Sequence, residues 1–277
     1  MVTAPVLALD GLGVVVRTAT GRRTAILRGA SLDVAEGEVV AIIGPSGGGK
    51  SALLKAILGL VPFTEGALSF RGNAIKRPLD ATHRRLRATA EAVFQNPLAA
   101  LNPYGSLRTT IAEPLRVQRV APTDRDALVE RIAERMGLTP DLLDRRPSAV
   151  SLGQAQRACI ARALAPKPEL LVLDEPLSAL DALVAAEVAD LLTGVIAETR
   201  PTVLFVSHDM RLVRRLATRV AVVEAGKIVE DASTDRLLDA PGSAAARALV
   251  ESDRRRQAAF AAARQVAGTR GPTEAIA

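Results

Sequence analysis

The sequence is poor in aromatic residues and in cysteine. Its 277 residues include no tryptophan, one tyrosine and five phenylalanines, so few flat faces are available for stacking on exposed bases, and nucleic acid is not expected as a partner. The one cysteine, Cys159, excludes an intramolecular disulfide framework and a cysteine-ligated metal or iron–sulfur cluster, and suits a reducing compartment. No apolar run approaches the roughly 20 residues that span a bilayer. The first residues, MVTAPVLALDG, lack the basic-then-apolar order of a secretory leader. The chain is therefore expected neither to insert into a membrane nor to be exported by itself. Its formal charge of +6 would suit phosphates, but the arginines fall in scattered pairs such as Arg84 with Arg85 and Arg214 with Arg215, the pattern of a solvated face. A cationic rim of this kind also suits an anionic membrane surface or the acidic loops of a partner.

Apolar residues make up 48% of the chain, enough for a substantial core. Short apolar runs bounded by turn residues, at 6–9, 14–16, 31–34 and 39–43, read as strands. Residues 52–60 read as a helix that ends near Gly59 and Pro62, and 66–70 as a strand before the Gly72-Asn73 turn. From 97 to 148 the pattern changes: Leu128, Ile132 and Met136 recur at helical spacing between prolines, which marks a helical insert. Strand patterns resume at 170–173, 202–206 and 220–223 with alanine- and leucine-rich helical segments between them. Strands alternating with helices predict an α/β fold with a largely parallel sheet covered on both faces. No repeat of fixed period is present, which argues against a solenoid. The tail from Glu251 reads as a helix that gives way to a loose end around Gly268, Gly271 and Pro272.

The most informative segment is Gly44, Pro45, Ser46, Gly47, Gly48, Gly49, Lys50 and Ser51. It lies between the apolar run 39–43 and the helical pattern that follows. A glycine-rich turn between strand and helix aims several backbone N–H groups at one point, where the helix N-terminus adds partial positive charge. That point suits the oxyanions of a nucleoside triphosphate. Lys50 would reach the β- and γ-phosphates, and the Ser51 hydroxyl would complete the shell of a Mg²⁺ ion bridging them.

Further segments follow in order: VFQNP with Gln95, VSLGQAQR from Val150, LLVLDEP, SALD from Ser178, and VSHD. Gln95 sits where the core strand passes into the insert; its amide oxygen can serve Mg²⁺ or the attacking water. The run 170–173 reads as a buried strand that delivers the Asp174 carboxylate beside the cradle, another Mg²⁺ ligand. Glu175, next in line, is the candidate general base, able to polarise the water that attacks the γ-phosphate. His208, at a strand end, is placed to bond the γ-phosphate and hold the water in register. His83, among arginines, has no such context. Ser151 begins a helix through Gln154; as an N-cap it satisfies the helix itself, and with the Gly153 backbone it offers a second anion site. Cys159, inside that helix, reads as a packing residue.

Together these residues resemble the ATP-binding subunit of an ABC transporter over about residues 5–240. The fold this resemblance implies is α/β: a P-loop NTPase core with a mixed, largely parallel sheet, an N-terminal antiparallel β subdomain and a helical insert. Residues 1–250 would form the ATPase domain, with the core at 1–95 and 158–250 and the helical subdomain at 96–157, followed by a basic tail at 251–277. In family terms Gly44 to Ser51 is the Walker A loop, Gln95 the Q-loop, Val150 to Gln154 the signature, Asp174 the end of Walker B, Glu175 the catalytic glutamate, Ser178 to Asp181 the D-loop and His208 the switch histidine. The wording FQNPLAALNP is most similar to importers of peptides, nickel and opines. The resemblance implies ATP and Mg²⁺ as cofactors, and a signature (Ser151, Gly153, Gln154) that serves the nucleotide of a second subunit. It also implies separate integral-membrane permeases, a solute-binding protein, and a peripheral place on the cytoplasmic face of the cell membrane.

The chain departs from the family pattern in three ways. The usual signature is Leu-Ser-Gly-Gly-Gln, but Leu152 replaces the first glycine and Val150 the leucine; leucine lacks glycine's backbone freedom. That points to a heterodimer with one weaker site, more than to a homodimer. No aromatic residue precedes Phe63, and Val16 falls where the family stacks its adenine. One cysteine cannot supply the cysteine cluster that some peptide-importer subunits carry. Two other readings stay open: a soluble ABC-type ATPase that remodels or scaffolds an enzyme complex such as a phosphonate-degrading assembly, and a regulatory subunit of low turnover. The intact set Lys50, Asp174, Glu175 and His208 argues against the second, and the absence of an Asn-Lys-x-Asp guanine reader argues against a small GTPase.

Overall fold

The computed structural model describes residues 4–17, 21–76 and 80–269, the side chains of 260–269 excepted. Two sheets organise it. The first is antiparallel, in the order β2-β1-β4-β5, and is built from β1 (Leu7–Arg17), β2 (Arg23–Val34), β4 (Glu65–Phe70) and β5 (Asn73–Ile75). The second holds six strands in the order β10-β9-β3-β8-β7-β6: β3 (Val39–Ile43), β6 (Ala90–Val93), β7 (Leu170–Asp174), β8 (Thr202–Val206), β9 (Arg219–Glu224) and β10 (Lys227–Ser233). All neighbours in the second sheet are parallel except the β9–β10 pair.

The helices are α1 (Lys50–Ile57), α2 (Ala81–Thr89), α3 (Pro97–Ala100), α4 (Leu107–Ile111), α5 (Glu113–Val117), α6 (Pro122–Arg135), α7 (Pro140–Leu143), α8 (Leu152–Leu164), α9 (Ala182–Thr199), α10 (Met210–Leu216), α11 (Thr234–Asp239) and α12 (Ala244–Thr269). Of the repeat, Ile132 in α6 and its C-cap Met136 are buried, and Leu128 packs partly buried against the same core. The prolines of this region open α6, α7 and the first turn of α5, positions where a missing N–H costs nothing. Both α8 and α12 run without a break across the 157/158 and 250/251 divisions expected from sequence. The loose end expected around Gly268, Gly271 and Pro272 does not begin at Gly268, which lies within α12; Gly271 and Pro272 lie outside the described residues.

The parallel strands are apolar throughout because both of their faces are covered. Along β3, Val39, Ala41 and Ile43 enter one core with α6, α8 and α9, while Val40 and Ile42 enter another with α1 and the antiparallel sheet. The same alternation places Leu171, Leu173, Val203 and Phe205 in the first core and Leu170, Val172, Leu204 and Val206 in the second. Two runs read separately at 6–9 and 14–16 are one strand, β1, whose register shifts between Leu9 and Leu12 around Gly11 at φ 60°.

His83 is structural: it is 1% exposed, and its Nε2 lies 3.2 Å from the carbonyl oxygen of Ile57 at the end of α1. Burial lowers its pKa, against the opposing hydrogen bond to Ile57. The folded state therefore keeps the ring neutral where the unfolded chain protonates it. Stability is full above the unfolded value of about 6.5 and falls as pH drops below it. The midpoint of thermal unfolding should fall between about pH 6.5 and pH 5, and fall less in His83→Gln. Equal declines in the two proteins would refute this.

Candidate functional site

The buried strand β3 ends in a loop that its glycines make possible. Gly44 has φ 152°, and a Cβ there would lie 2.0 Å from the carbonyl oxygen of Val223. Gly49, at φ 106°, packs against the carbonyl of Ile26, 2.8 Å from where a Cβ would stand. The loop thus wedges between β2 and β9 and feeds into α1, whose N-cap is Gly49 with no side-chain cap. The N–H groups of the first turn of α1 are left for an anion.

Lys50 is 8% exposed. Its ammonium donates to the carbonyls of Gly44 at 2.9 Å and Pro45 at 2.8 Å, so it lies over its own loop. Burial lowers its pKa, opposed by the charges of Glu175 and Asp174. The Ser51 hydroxyl donates to Asp174 Oδ1 at 2.9 Å. Asp174, 7% exposed at the end of β7, has its pKa raised by burial, with the Ser51 hydrogen bond and the Lys55 charge opposing.

Glu175 follows in the left-handed region, φ 49°, with its N–H bonded to the Val206 carbonyl at 3.0 Å. This turn aims its carboxylate away from that of Asp174. Glu175 Oε2 accepts from Gln95 Nε2 at 3.4 Å and lies 3.4 Å from His208 Nδ1. Three residues from three separate segments thus meet at one oxygen. A non-glycine residue held at positive φ costs on the order of 1 kcal/mol.

A cavity of about 500 Å³ opens here, lined by loop residues 46–52 and Glu175 together with Thr24, Ala25, Ile26, Arg28, Ala225 and Gly226. Val16 is not among its lining residues; it packs, partly buried, against the core shared with the antiparallel sheet. Its cross-strand partner Thr24 lines the cavity instead. Sequence reasoning missed Thr24, Ile26 and Arg28, whose only signal was the pairing of β2 with the strand that holds Val16.

The signature segment forms the start of α8. Ser151 caps it in a reciprocal box: its hydroxyl accepts from the Gln154 N–H at 3.2 Å and Gln154 Oε1 accepts from the Ser151 N–H at 2.9 Å. Gly153 is pressed on α9, where a Cβ would meet Val184 Cγ1 at 2.5 Å. Leu152 is 36% exposed. None of Ser151, Gly153 and Gln154 lines the cavity at Lys50. Farther along α8, Arg162 donates to the Ala100 carbonyl at 2.7 Å. Cys159 is buried against the Pro97 carbonyl and its thiol pKa is pushed up to about 11 by burial.

A glycine cradle with a lysine, a serine–aspartate pair, and a carboxylate flanked by glutamine and histidine define a P-loop nucleoside triphosphatase. Comparison with known proteins narrows the class. The family model described as ABC transporter matches residues 27–178. The chain is 43% identical over 208 residues to the nickel import ATP-binding protein NikE of Rhodospirillum rubrum, an alignment that covers 75% of each. It is 38% identical over 213 residues to the oligopeptide transport ATP-binding protein OppF of Streptococcus mutans, covering 76% of this chain and 69% of the relative. Among solved structures, the ATP-binding cassette MJ0796 in its dimeric post-hydrolysis state bound to ADP and Pi superposes with a TM-score of 0.74 at 27% identity, covering 82% of this chain and 98% of that one. The chain belongs to the ABC transporter family and is an ATP-binding ATPase.

Proposed function

We propose that the chain is the energy-coupling subunit of a solute importer, hydrolysing ATP to drive separate membrane permeases. The observation that carries the hydrolytic part is the meeting of Gln95 and His208 on Glu175 Oε2, beside the Lys50 cradle. In this reading Glu175 accepts a proton from water as its oxygen attacks the γ-phosphorus in line. The bond from that phosphorus to the β–γ bridging oxygen breaks, and ADP and phosphate leave. Gln95 and His208 hold the carboxylate and the water in place, and Lys50 turns from its loop carbonyls to the β- and γ-phosphates. The donors around Ser51, Asp174 and Gln95 are hard oxygens that fit Mg²⁺, which would neutralise charge on the β- and γ-phosphates.

Import is supported by the relative named for nickel import, and the second relative is named for oligopeptide transport. The solute is of that class, nickel, a peptide or a similar small molecule, and a solute-binding protein belongs to the same system. The chain sits on the cytoplasmic face of the membrane as a peripheral subunit, in keeping with the lack, among the described residues, of a helix long and apolar enough to cross one. Residues 1–95 and 158–250 act as the catalytic core, and 96–157 as the helical unit that meets the permeases, where Leu98 and Tyr104 are exposed. Purification from membranes with Glu175→Gln and ATP tests this assignment. An integral-membrane partner should be recovered; its absence would favour a soluble ATPase serving an enzyme assembly.

Two subunits pair, in line with the dimeric state of the solved cassette, and in the head-to-tail arrangement that the family resemblance implies Ser151, Gly153 and Gln154 serve the partner's nucleotide. Leu152 puts an exposed apolar side chain on that tip. The mate is therefore a different ABC subunit, and the site that borrows this signature is the weaker one. Leu152→Gly, assayed with the natural partner, should raise ATP turnover by about threefold to tenfold, the size of one to two weak contacts regained in the transition state. Unchanged turnover would count against the assignment.

A further inference from the structure

Of the carboxylates among the described residues, two are buried: Asp174, in the site, and Asp253 of α12, 6% exposed, outside it. Asp253 Oδ2 accepts from the Arg214 guanidinium at 2.6 Å and from the Gln257 amide at 2.8 Å. Such charge-assisted bonds offset the hydration that a buried carboxylate loses. The helix that carries Asp253 is itself fixed. At its start the Glu230 carboxylate of β10 accepts from the Gly242 and Ser243 N–H groups at 2.8 and 2.7 Å. Beside Asp253, Arg254 donates to the Leu238 carbonyl in α11 at 2.8 Å.

Arg214 belongs to α10, the helix that follows His208. The N-cap of α10 is Asp209, whose Oδ1 accepts from the Arg211 N–H at 2.9 Å while the Arg211 guanidinium holds both carboxylate oxygens at 3.1 and 3.0 Å. His208 therefore hangs between two anchors. One is Ser207, whose N–H reaches the Ile42 carbonyl of β3 at 3.4 Å; the other is Asp209, which moves with α10. The His208 side chain is 59% exposed, so packing does not hold the ring, and its approach to Glu175 Oε2 depends on where the backbone at 207–209 starts it. α10 buries Met210, Leu212, Val213 and Leu216 in the core that also holds Val250 of α12. Apolar contacts are non-directional and leave a seven-residue helix free to tilt. The bond from Arg214 to Asp253 is directional and pins it.

We infer that Asp253 is a positioning residue for ATP hydrolysis: by clasping Arg214 it fixes α10, and through α10 it sets the His208 ring against Glu175. The clasp lies outside residues 27–178, the span that the family model matches. The inference rests on the reading of His208 as the group that holds the carboxylate and the water, and adds to it a support built from the C-terminal helix.

The chain has two histidines, His83 and His208, so each ring can be followed separately by magnetic resonance in the full-length chain carrying isotope-labelled histidine. Asp253→Asn should move the His208 ring signal and leave that of buried His83 in place. With the natural partner present, single-turnover phosphate release should slow by about threefold to tenfold, within the ~10²-fold that a displaced catalytic group can cost. The ATP dissociation constant should change by less than about twofold, since no described residue of α10 or α12 lines the cavity at Lys50. In a His208→Ala background the same substitution should slow turnover no further. Arg214→Gln breaks the clasp from α10 and should repeat these results, so that a fold lost in one variant leaves the other. A lowered unfolding midpoint with an unmoved His208 signal and unchanged turnover would make the clasp structural only and overturn the inference. So would failure of both variants to fold, a matched loss of ATP affinity and turnover, or a full further loss in the His208→Ala background. Full turnover in His208→Ala would remove the reading of His208 and this inference with it, whereas full turnover in Asp253→Asn beside a crippled His208→Ala overturns the inference alone.

Discussion

Glu175→Gln is expected to lower ATP turnover by about 10²- to 10⁴-fold, the range a positioned general base contributes, while the dissociation constant for ATP changes little. The structure separates the two effects. The residues assigned to phosphate are loop and helix backbone, Lys50 and Ser51, all on the cavity lining, whereas Glu175 has its Oε2 shared between Gln95 and His208. A glutamine keeps the shape and one acceptor oxygen but cannot take a proton at neutral pH. Removing the carboxylate charge also removes one of the two charges that oppose the lowering of the Lys50 pKa; Lys50 then relies on Asp174 and its loop carbonyls. Single-turnover phosphate release beside an equilibrium binding isotherm checks both halves. A matched loss of binding and turnover would mean that Glu175 holds the loop and does not do chemistry.

Gly44→Ala should be the most damaging small substitution in the loop. Its Cβ would fall 2.0 Å from the Val223 carbonyl oxygen, with φ at 152°. Neither atom can yield, since Val223 lies in β9, which pairs with β3. A loss of about 3 kcal/mol or more is expected for such a backbone clash, which lowers the unfolding midpoint by about 6 °C or more for a chain of this size. Gly47→Ala is the control. It too has positive φ, 77°, but no heavy atom within 4 Å, so only the torsional cost of about 1–2 kcal/mol applies. Thermal unfolding of the two variants decides between torsion and contact as the reason for glycine at 44. Equal midpoints would mean the strand yields and the contact is unimportant.

The cradle, the strand ending in Asp174 and the order of the motifs were legible because each depends on local rules: glycine where φ is positive, apolar residues where both strand faces are buried, a hydroxyl at a helix start. Ser151 shows the limit of such rules. Its capping box with Gln154 satisfies the local rule completely, and nothing local distinguishes a cap from a ligand for another subunit. The wall that β2 gives the cavity was hidden for a different reason. Thr24, Ile26 and Arg28 reach the cavity through the pairing of β1 with β2 and the contact of β2 with Gly49, both set by tertiary register. Val16, the position that the family resemblance implies, packs partly buried against the core instead. The division of the chain at 157 and 250 likewise followed motif edges, whereas α8 and α12 continue through both points.

Since β7 is equally greasy above and below, polarity does not choose how it aligns with its neighbours, and sliding it by one position would bury much the same area. Such a slip would carry Asp174 about 3.3 Å along the strand axis and turn its carboxylate to the opposite surface. The anchoring comes from the two tips: the Glu169 amide clasps the Thr89 carbonyl at 2.8 Å, and the Glu175 amide clasps that of Val206 at 3.0 Å. The second of these bonds belongs to the residue assigned the proton transfer. At that tip, the alignment of β7 and the aim of the carboxylate assigned the proton transfer share one peptide group.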